Sequence, residues 1–115
     1  MRILIADDEP ILRELLAELL TRAGHEVVAT KNGEEALRAF TNEGDFDAVI
    51  TDYQMPRKNG VVLIMDIRRT KPDQKVIMVS GDPPTIDRLT RKDTGEFPML
   101  QKPYRTEALL ALLNS

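Results

Sequence analysis

Short apolar runs alternate with stretches of helical spacing five times along this sequence, a pattern that points to a parallel sheet with helices packed on its faces. The first apolar run is Ile3 to Ala6. A helix is expected from about Pro10, with Ile11, Leu15 and Leu19 on one stripe, Leu12, Leu16 and Leu20 beside it, and Arg13, Glu14 and Glu18 facing water. Pro10 suits a first turn and Gly24 a C-terminal stop. The second strand is read as Glu26 to Thr30, followed by a helix that Asn32 can cap and that carries Ala36, Leu37 and Phe40 inward before ending at Gly44. Phe46 to Thr51 reads as a central strand buried on both faces, and it runs into Asp52.

A turn from Met55 to Gly60 leads into a third helix, stopped by Lys71 and Pro72. Lys75 to Val79 is the fourth strand, ending at Ser80, and Met99 to Gln101 is a short fifth strand that reaches Lys102. Between them Pro83-Pro84 can only begin a helix and Gly95 and Pro98 would break one, which leaves a short helix from about Thr85 to Arg91. A last helix starts near Thr106. At 115 residues the chain makes one domain, Met1 to Ser115, with neither repeat nor linker.

Composition removes several classes of function. There is no cysteine, so neither a disulfide framework nor a thiolate metal site is available, in keeping with a cytoplasmic protein. The longest apolar run, Ala108 to Leu113, falls far short of the roughly 20 residues that span a bilayer. Net charge is −3 with scattered basic residues, so no direct nucleic-acid binding is expected.

In an open parallel sheet the ligand crevice lies beyond the carboxyl ends of the strands. Those ends carry Asp7-Asp8, Asp52, Ser80 and Lys102. In a doubly wound order with the second strand at the outer edge, three carboxylates, a hydroxyl and an ammonium converge on one cleft. Carboxylates crowded in this way raise one another's pKa unless a positive charge sits among them. Oxygen-only donors with no histidine or cysteine nearby suit Mg²⁺. A hard cation with a lysine beside it stabilises a transferring phosphoryl group, and a carboxylate can be the nucleophile that receives it.

Ile5-Ala6-Asp7-Asp8-Glu9-Pro10, Asp52-Tyr53-Gln54-Met55-Pro56 with Gly60, Ser80-Gly81 and Lys102-Pro103-Tyr104 together resemble the receiver domain of two-component response regulators. Each piece alone is weak, and the four in this order are specific. The resemblance implies a flavodoxin-like (βα)5 α/β fold with strand order 2-1-3-4-5. It implies phosphorylation of Asp52 by a sensor histidine kinase, a histidine phosphotransfer protein or a small phosphodonor. Asp8 would hold Mg²⁺ directly and Asp7 largely through water, with Asp52 and the backbone carbonyl of Gln54 completing the protein ligands. Lys102 would pair with the phosphoryl oxygens, Ser80 would turn its hydroxyl onto the group, and Gly81 would leave room for it. Pro103 would follow a cis bond that aims the lysine inward. The domain would assist its own phosphorylation without turning over an external substrate, and it would act by contact with another protein or as a carrier in a phosphorelay.

Plainer roles exist for each residue. Asp7 or Asp8 alone is more often a helix cap, Ser80 a turn residue, Lys102 and the pair Arg57-Lys58 solvated charges, and Glu9 a first-turn helix acid with an outer-shell role at the site as its alternative. His25 reads as exposed and idle. Two departures from the resemblance stand out: Met99 occupies the place, three residues before the lysine, where receivers carry an aromatic residue, with Phe97 or Tyr104 as substitutes, and Asp82-Pro83-Pro84 restricts the loop after the fourth strand. Met1 placed directly on the first strand favours a stand-alone receiver over a domain of a longer regulator or hybrid kinase. A magnesium-dependent phosphohydrolase and a binding module with a defunct site are the alternatives, the first disfavoured because no residues are left for a substrate-covering cap.

Overall fold

The structure, a computed structural model, describes residues 1–81, 95 and 97–115. In chain order it contains β1 (Arg2–Ala6), α1 (Pro10–Arg22), β2 (Glu26–Thr30), α2 (Gly33–Glu43), β3 (Ala48–Asp52), α3 (Gly60–Thr70), β4 (Val76–Ser80), β5 (Met99–Gln101) and α4 (Thr106–Leu113). The strands form a single sheet in the order β2-β1-β3-β4-β5, every pairing parallel. This is the doubly wound, flavodoxin-like arrangement. The helix expected over Thr85 to Arg91, and the Asp82-Pro83-Pro84 stretch, lie outside the described residues.

Strand side chains alternate between two cores because successive residues point to opposite faces. Leu4, Ala6, Val49, Val76 and Met78 meet α2 and α3 through Ala36, Phe40, Leu63, Ile64 and Ile67. Ile3, Ile5, Ala48, Ile50, Ile77 and Val79 face α1 and α4 through Leu16, Leu20, Leu109 and Leu113. Each large aliphatic side chain so buried contributes about 1.5–3 kcal/mol, which holds the helices on the sheet more firmly than their short lengths could. Phe46, expected inside the third strand, precedes it and is buried under the Arg2 guanidinium, 4.4 Å from its ring centre.

Local signals account for most boundaries. Asn32 caps α2 by accepting from Glu35 N at 2.7 Å, and Asn59 caps α3 by accepting from Val62 N at 3.0 Å. Gly24 and Gly44, at φ 95° and 57°, end α1 and α2 in backbone conformations that side chains disfavour.

Several residues depart from expectation. Ile11, Leu12 and Leu15 are 74%, 41% and 57% exposed, so of the expected apolar stripes of α1 only Leu16 and Leu20 are buried. Arg13 turns back to donate to the Asp7 carbonyl at 2.9 Å. Lys58 pairs with Asp66 of α3 and is half-buried, while Arg57 remains exposed beside Glu34. His25 is half-buried, with its Nδ1 3.1 Å from the Met1 amino group. Met99 packs on the α2–α3 core beside Phe97, whereas Tyr104 packs on the opposite face; of the two aromatic substitutes, Phe97 is the one that shares a core with Met99.

Gly60 shows how tightly α3 is set against the end of β3. A Cβ there would overlap the Asp52 carbonyl oxygen. Gly60→Ala should therefore cost about 1–3 kcal/mol in urea denaturation. Gly81→Ala, where a Cβ meets open space, should leave the urea midpoint near that of the parent. Equal midpoints for the two variants would contradict the close approach.

Candidate functional site

β1, β3, β4 and β5 lie consecutively and parallel in the sheet, so their carboxyl ends share one edge. β1 runs into Asp7-Asp8, β3 ends in Asp52, β4 ends in Ser80, and β5 is followed by Lys102. The Ser80 carbonyl accepts from Lys102 N at 2.8 Å, which carries the parallel ladder one residue past β5 and fixes where the lysine starts. The Lys102–Pro103 peptide is cis. The lysine then reaches across β4 to β3, and its Nζ donates to Asp52 Oδ2 at 2.9 Å.

The carboxylates of Asp7, Asp8 and Asp52 each offer an oxygen within 4.8 Å of the others. Asp7 and Asp52 are 8% exposed, and Asp8 is open to solvent. Asp7 also accepts from Glu9 N at 2.9 Å, a turn that precedes α1; the N-cap of that helix is Glu9 with no side-chain cap, so the helix-cap role expected of Asp7 or Asp8 is not the one taken. Asp52 Oδ1 accepts from Tyr53 N at 3.1 Å. Ser80 is buried at the end of β4, and Gln54 lies two residues beyond Asp52 in the exposed turn leading to α3. The described structure thus brings together Asp7, Asp8, Asp52 and Lys102, with Ser80 and Gln54 on the same edge.

Glu9 belongs with this group more closely than its sequence position suggested. Its Oε1 is 3.8 Å from Lys102 Nζ, which makes it a second anionic neighbour of the lysine. The signal was adjacency alone: a third acid follows the strand-end pair.

Electrostatics at the edge are short of positive charge. Burial raises the Asp52 carboxyl above its ordinary value, and the Asp8 charge adds to this, although Lys102 and the Tyr53 N–H pull the other way. Burial also raises Asp7, with the Asp52 and Glu9 charges contributing, against the Glu9 N–H and Lys102. For Lys102, burial favours the neutral form, but hydrogen bonding and attraction to Asp52, with help from Asp7 and Glu9, outweigh it and raise the pKa. An ion pair ordinarily lowers its acid while raising its base. Here the acid also rises, because one ammonium does not compensate the loss of water around two buried carboxylates.

The donor set fits a hard divalent cation: three carboxylates of mutual reach, oxygen only, with an unmet demand for positive charge. Asp7, Asp8 and Asp52 could hold such an ion.

Comparison with known proteins finds relatives along nearly the whole chain. The response regulator receiver domain model matches residues 3–114. The DNA-binding transcriptional regulator NtrC of Azospirillum brasilense is 35% identical over 111 residues, covering 96% of this chain and 23% of NtrC. The transcriptional regulatory protein TcrA of Mycobacterium tuberculosis is 34% identical over 115 residues, covering all of this chain and 45% of TcrA. The chain therefore spans less than half the length of either regulator. Among solved structures, a receiver domain protein of Clostridium thermocellum superposes with a TM-score of 0.89 at 32% identity, covering 98% of this chain and 90% of that one. The response regulator TrrA of Thermotoga maritima, solved in complex with Mg²⁺ and BeF, gives a TM-score of 0.78 at 35% identity over 96% of this chain and 97% of that one.

The raised carboxyls make a prediction for the metal-free protein. A carboxyl whose pKa is higher folded than unfolded stabilises the fold below its unfolded value, near 3.8, and that contribution is lost as pH rises through the folded value. Asp7→Asn keeps an oxygen for the Glu9 N–H and removes the charge. Without divalent metal it should melt higher than the parent at pH 7, and the advantage should disappear as pH is lowered toward 3.8; a lower Tm at pH 7 would contradict the charge deficit.

The strand order, the acidic edge crossed by its lysine, and the match over nearly the full length lead to one assignment: this chain belongs to the response regulator receiver domain family.

Proposed function

We propose that Asp52 is the phosphoacceptor of this receiver domain, and that the observation carrying the assignment is Lys102 Nζ at 2.9 Å from Asp52 Oδ2 within a cluster of three carboxylates. The donor would be a phosphohistidine of a sensor kinase or phosphotransfer protein, or a small phosphodonor. An Asp52 carboxylate oxygen attacks phosphorus, the bond to the donor's leaving atom breaks, and an aspartyl phosphate results.

The chain's own groups divide the work. Lys102, charged because Asp52, Asp7 and Glu9 surround it, is positioned to move from the carboxylate to the arriving phosphoryl oxygens. Ser80 offers a hydroxyl from the neighbouring strand end, and Gly81 leaves open space beside the backbone. Asp7, Asp8, Asp52 and the Gln54 carbonyl would hold Mg²⁺. When bound, that ion would neutralise the carboxylates and the charge of the phosphoryl group. The TrrA complex with Mg²⁺ and BeF, over nearly the whole chain at 35% identity, supports extending this ligand class here.

The family is one of signalling phosphoacceptors, and the domain would act on itself rather than turn over an external substrate. Its output is read in two ways. A stand-alone receiver would signal by protein contact alone. The relatives, two DNA-binding or transcriptional regulators of which this chain spans 23% and 45%, favour a receiver that governs an attached output region, with DNA contact made outside these residues. No helix of the described residues is long and apolar enough to cross a membrane, which is compatible with work in the cytoplasm beside a kinase.

Incubation with Mg²⁺ and acetyl phosphate, followed by intact mass, tests the proposal. One phosphoryl group should be gained by the parent and none by Asp52→Asn. Lys102→Ala should slow the gain by at least about tenfold, as expected for loss of a charged group that stabilises the transferring phosphoryl. Modification of Asp52→Asn to the parent level would overturn the assignment, and steady release of phosphate from varied phosphomonoesters would favour a hydrolase.

A further inference from the structure

Glu9 occupies the N-cap position of α1, yet its side chain makes no capping hydrogen bond. Its backbone is settled on both sides: Asp7 takes the Glu9 N–H at 2.9 Å, and the Glu9 carbonyl accepts from Arg13 N at 2.9 Å. The helix therefore leaves the carboxylate free for another contact, and that contact is Lys102, with Oε1 3.8 Å from Nζ. The separation is too long for a hydrogen bond, which Lys102 makes to Asp52 instead. It is a pairing of charges across the mouth of the cleft.

Exposure orders the three groups from floor to mouth. The Asp52 side chain is 9% exposed, that of Lys102 26% and that of Glu9 57%. Displacement at phosphorus is in line, so the leaving atom lies opposite the attacking Asp52 oxygen and faces the open side of the cleft. Glu9 stands on that side. Asp8 is exposed as well, but it belongs to the three carboxylates of mutual reach that would share a cation, and Glu9 does not. Among the described residues, Lys102 is the cation paired with Glu9. When the lysine turns to the phosphoryl oxygens, Glu9 is the anion left facing the departing group.

We propose that Glu9 is a specificity-determining residue, whose charge favours donors with a protonated nitrogen as leaving atom over carboxyl phosphates. The inference rests on the reading of Asp52 as phosphoacceptor. With a protonated phosphoramidate, an Asp52 carboxylate oxygen bonds to phosphorus, the P–N bond breaks, and its electron pair goes to the nitrogen, which leaves neutral. With acetyl phosphate the P–O bond breaks and the pair leaves on acetate. The first leaving group brings a positive charge to Glu9, and the second a growing negative one. A phosphoryl oxygen bonded to Lys102 at ~2.8 Å would lie within about 7 Å of Glu9 Oε1. That is inside the Debye length of about 10 Å at roughly 0.1 M salt. At such a range in a water-like medium, each unit of donor charge changes the encounter about threefold.

Phosphoramidate, with one net negative charge near neutral pH, and acetyl phosphate, with two, provide the test. Initial rates by intact mass, at saturating Mg²⁺ and low donor concentration, give the ratio of acetyl phosphate to phosphoramidate. Glu9→Gln should raise that ratio about threefold in low salt, and Glu9→Lys about ninefold. Both gains should collapse at about 1 M salt, where the Debye length is about 3 Å. Glu43→Gln, which removes the same charge beside Arg2 at the far end of β1, should leave the ratio unchanged. A purely structural role for Glu9 would speed or slow the two donors alike and would persist in salt. Either of those results, or an equal shift in Glu43→Gln, overturns the proposal while the Asp52 reading stands. If the parent takes a phosphoryl group from neither donor, the Asp52 reading falls and the inference falls with it.

Discussion

The contact on which the site depends is the one between Lys102 and Asp52. It joins residues 50 positions apart in sequence and two strands apart in the sheet. For it to form, β3 must end at Asp52, β5 must end just before Lys102, and β4 must lie between them in parallel register, with Ser80 bonded to the lysine backbone. Both cores serve this alignment, since β3 and β4, which end in Asp52 and Ser80, are buried on both faces, while the short β5 ahead of Lys102 is only partly buried. A slip of one residue in β5 would exchange the faces of Met99 and Leu100 and carry Lys102 away from the edge.

The same contact explains why the edge is reactive rather than merely acidic. An ammonium within bonding distance would normally lower an aspartate's pKa. Here burial outweighs that pull and the Asp52 pKa is raised, and the crowding of Asp7, Asp8 and Glu9 leaves the cluster in need of more positive charge. Such a cluster is costly when bare, and on the proposed reading a cation and then a phosphoryl group that Lys102 can follow would relieve it. Fold stability and function are thus opposed at these positions, as is common where charges are gathered for chemistry.

Much of this was legible in the sequence, for an identifiable reason. Parallel strands buried on both faces read as apolar runs, so a polar residue at the end of a run stands out, and Asp7, Asp52 and Ser80 did. Asn32 and Gly44 were equally readable because capping chemistry is local. What the sequence did not disclose was distance between packed elements. Ile11, Leu12 and Leu15 form a sound apolar stripe, yet periodicity states only which way a helix faces, and how much of that stripe is covered depends on the elements packed around it. Lys58 reads as a surface charge until the turn folds it against Asp66, and Glu9 reads as a helix acid until Lys102 arrives from the other end of the chain.

On the proposed reading, the phosphoryl group resides on Asp52 and nowhere else. Borohydride reduction converts an aspartyl phosphate to homoserine, so reduction of the phosphorylated protein followed by peptide mapping reports the position directly. Homoserine should appear at residue 52 alone. Homoserine at residue 7 or 8 with none at 52, or a phosphoryl group that survives borohydride on a serine, would contradict the account.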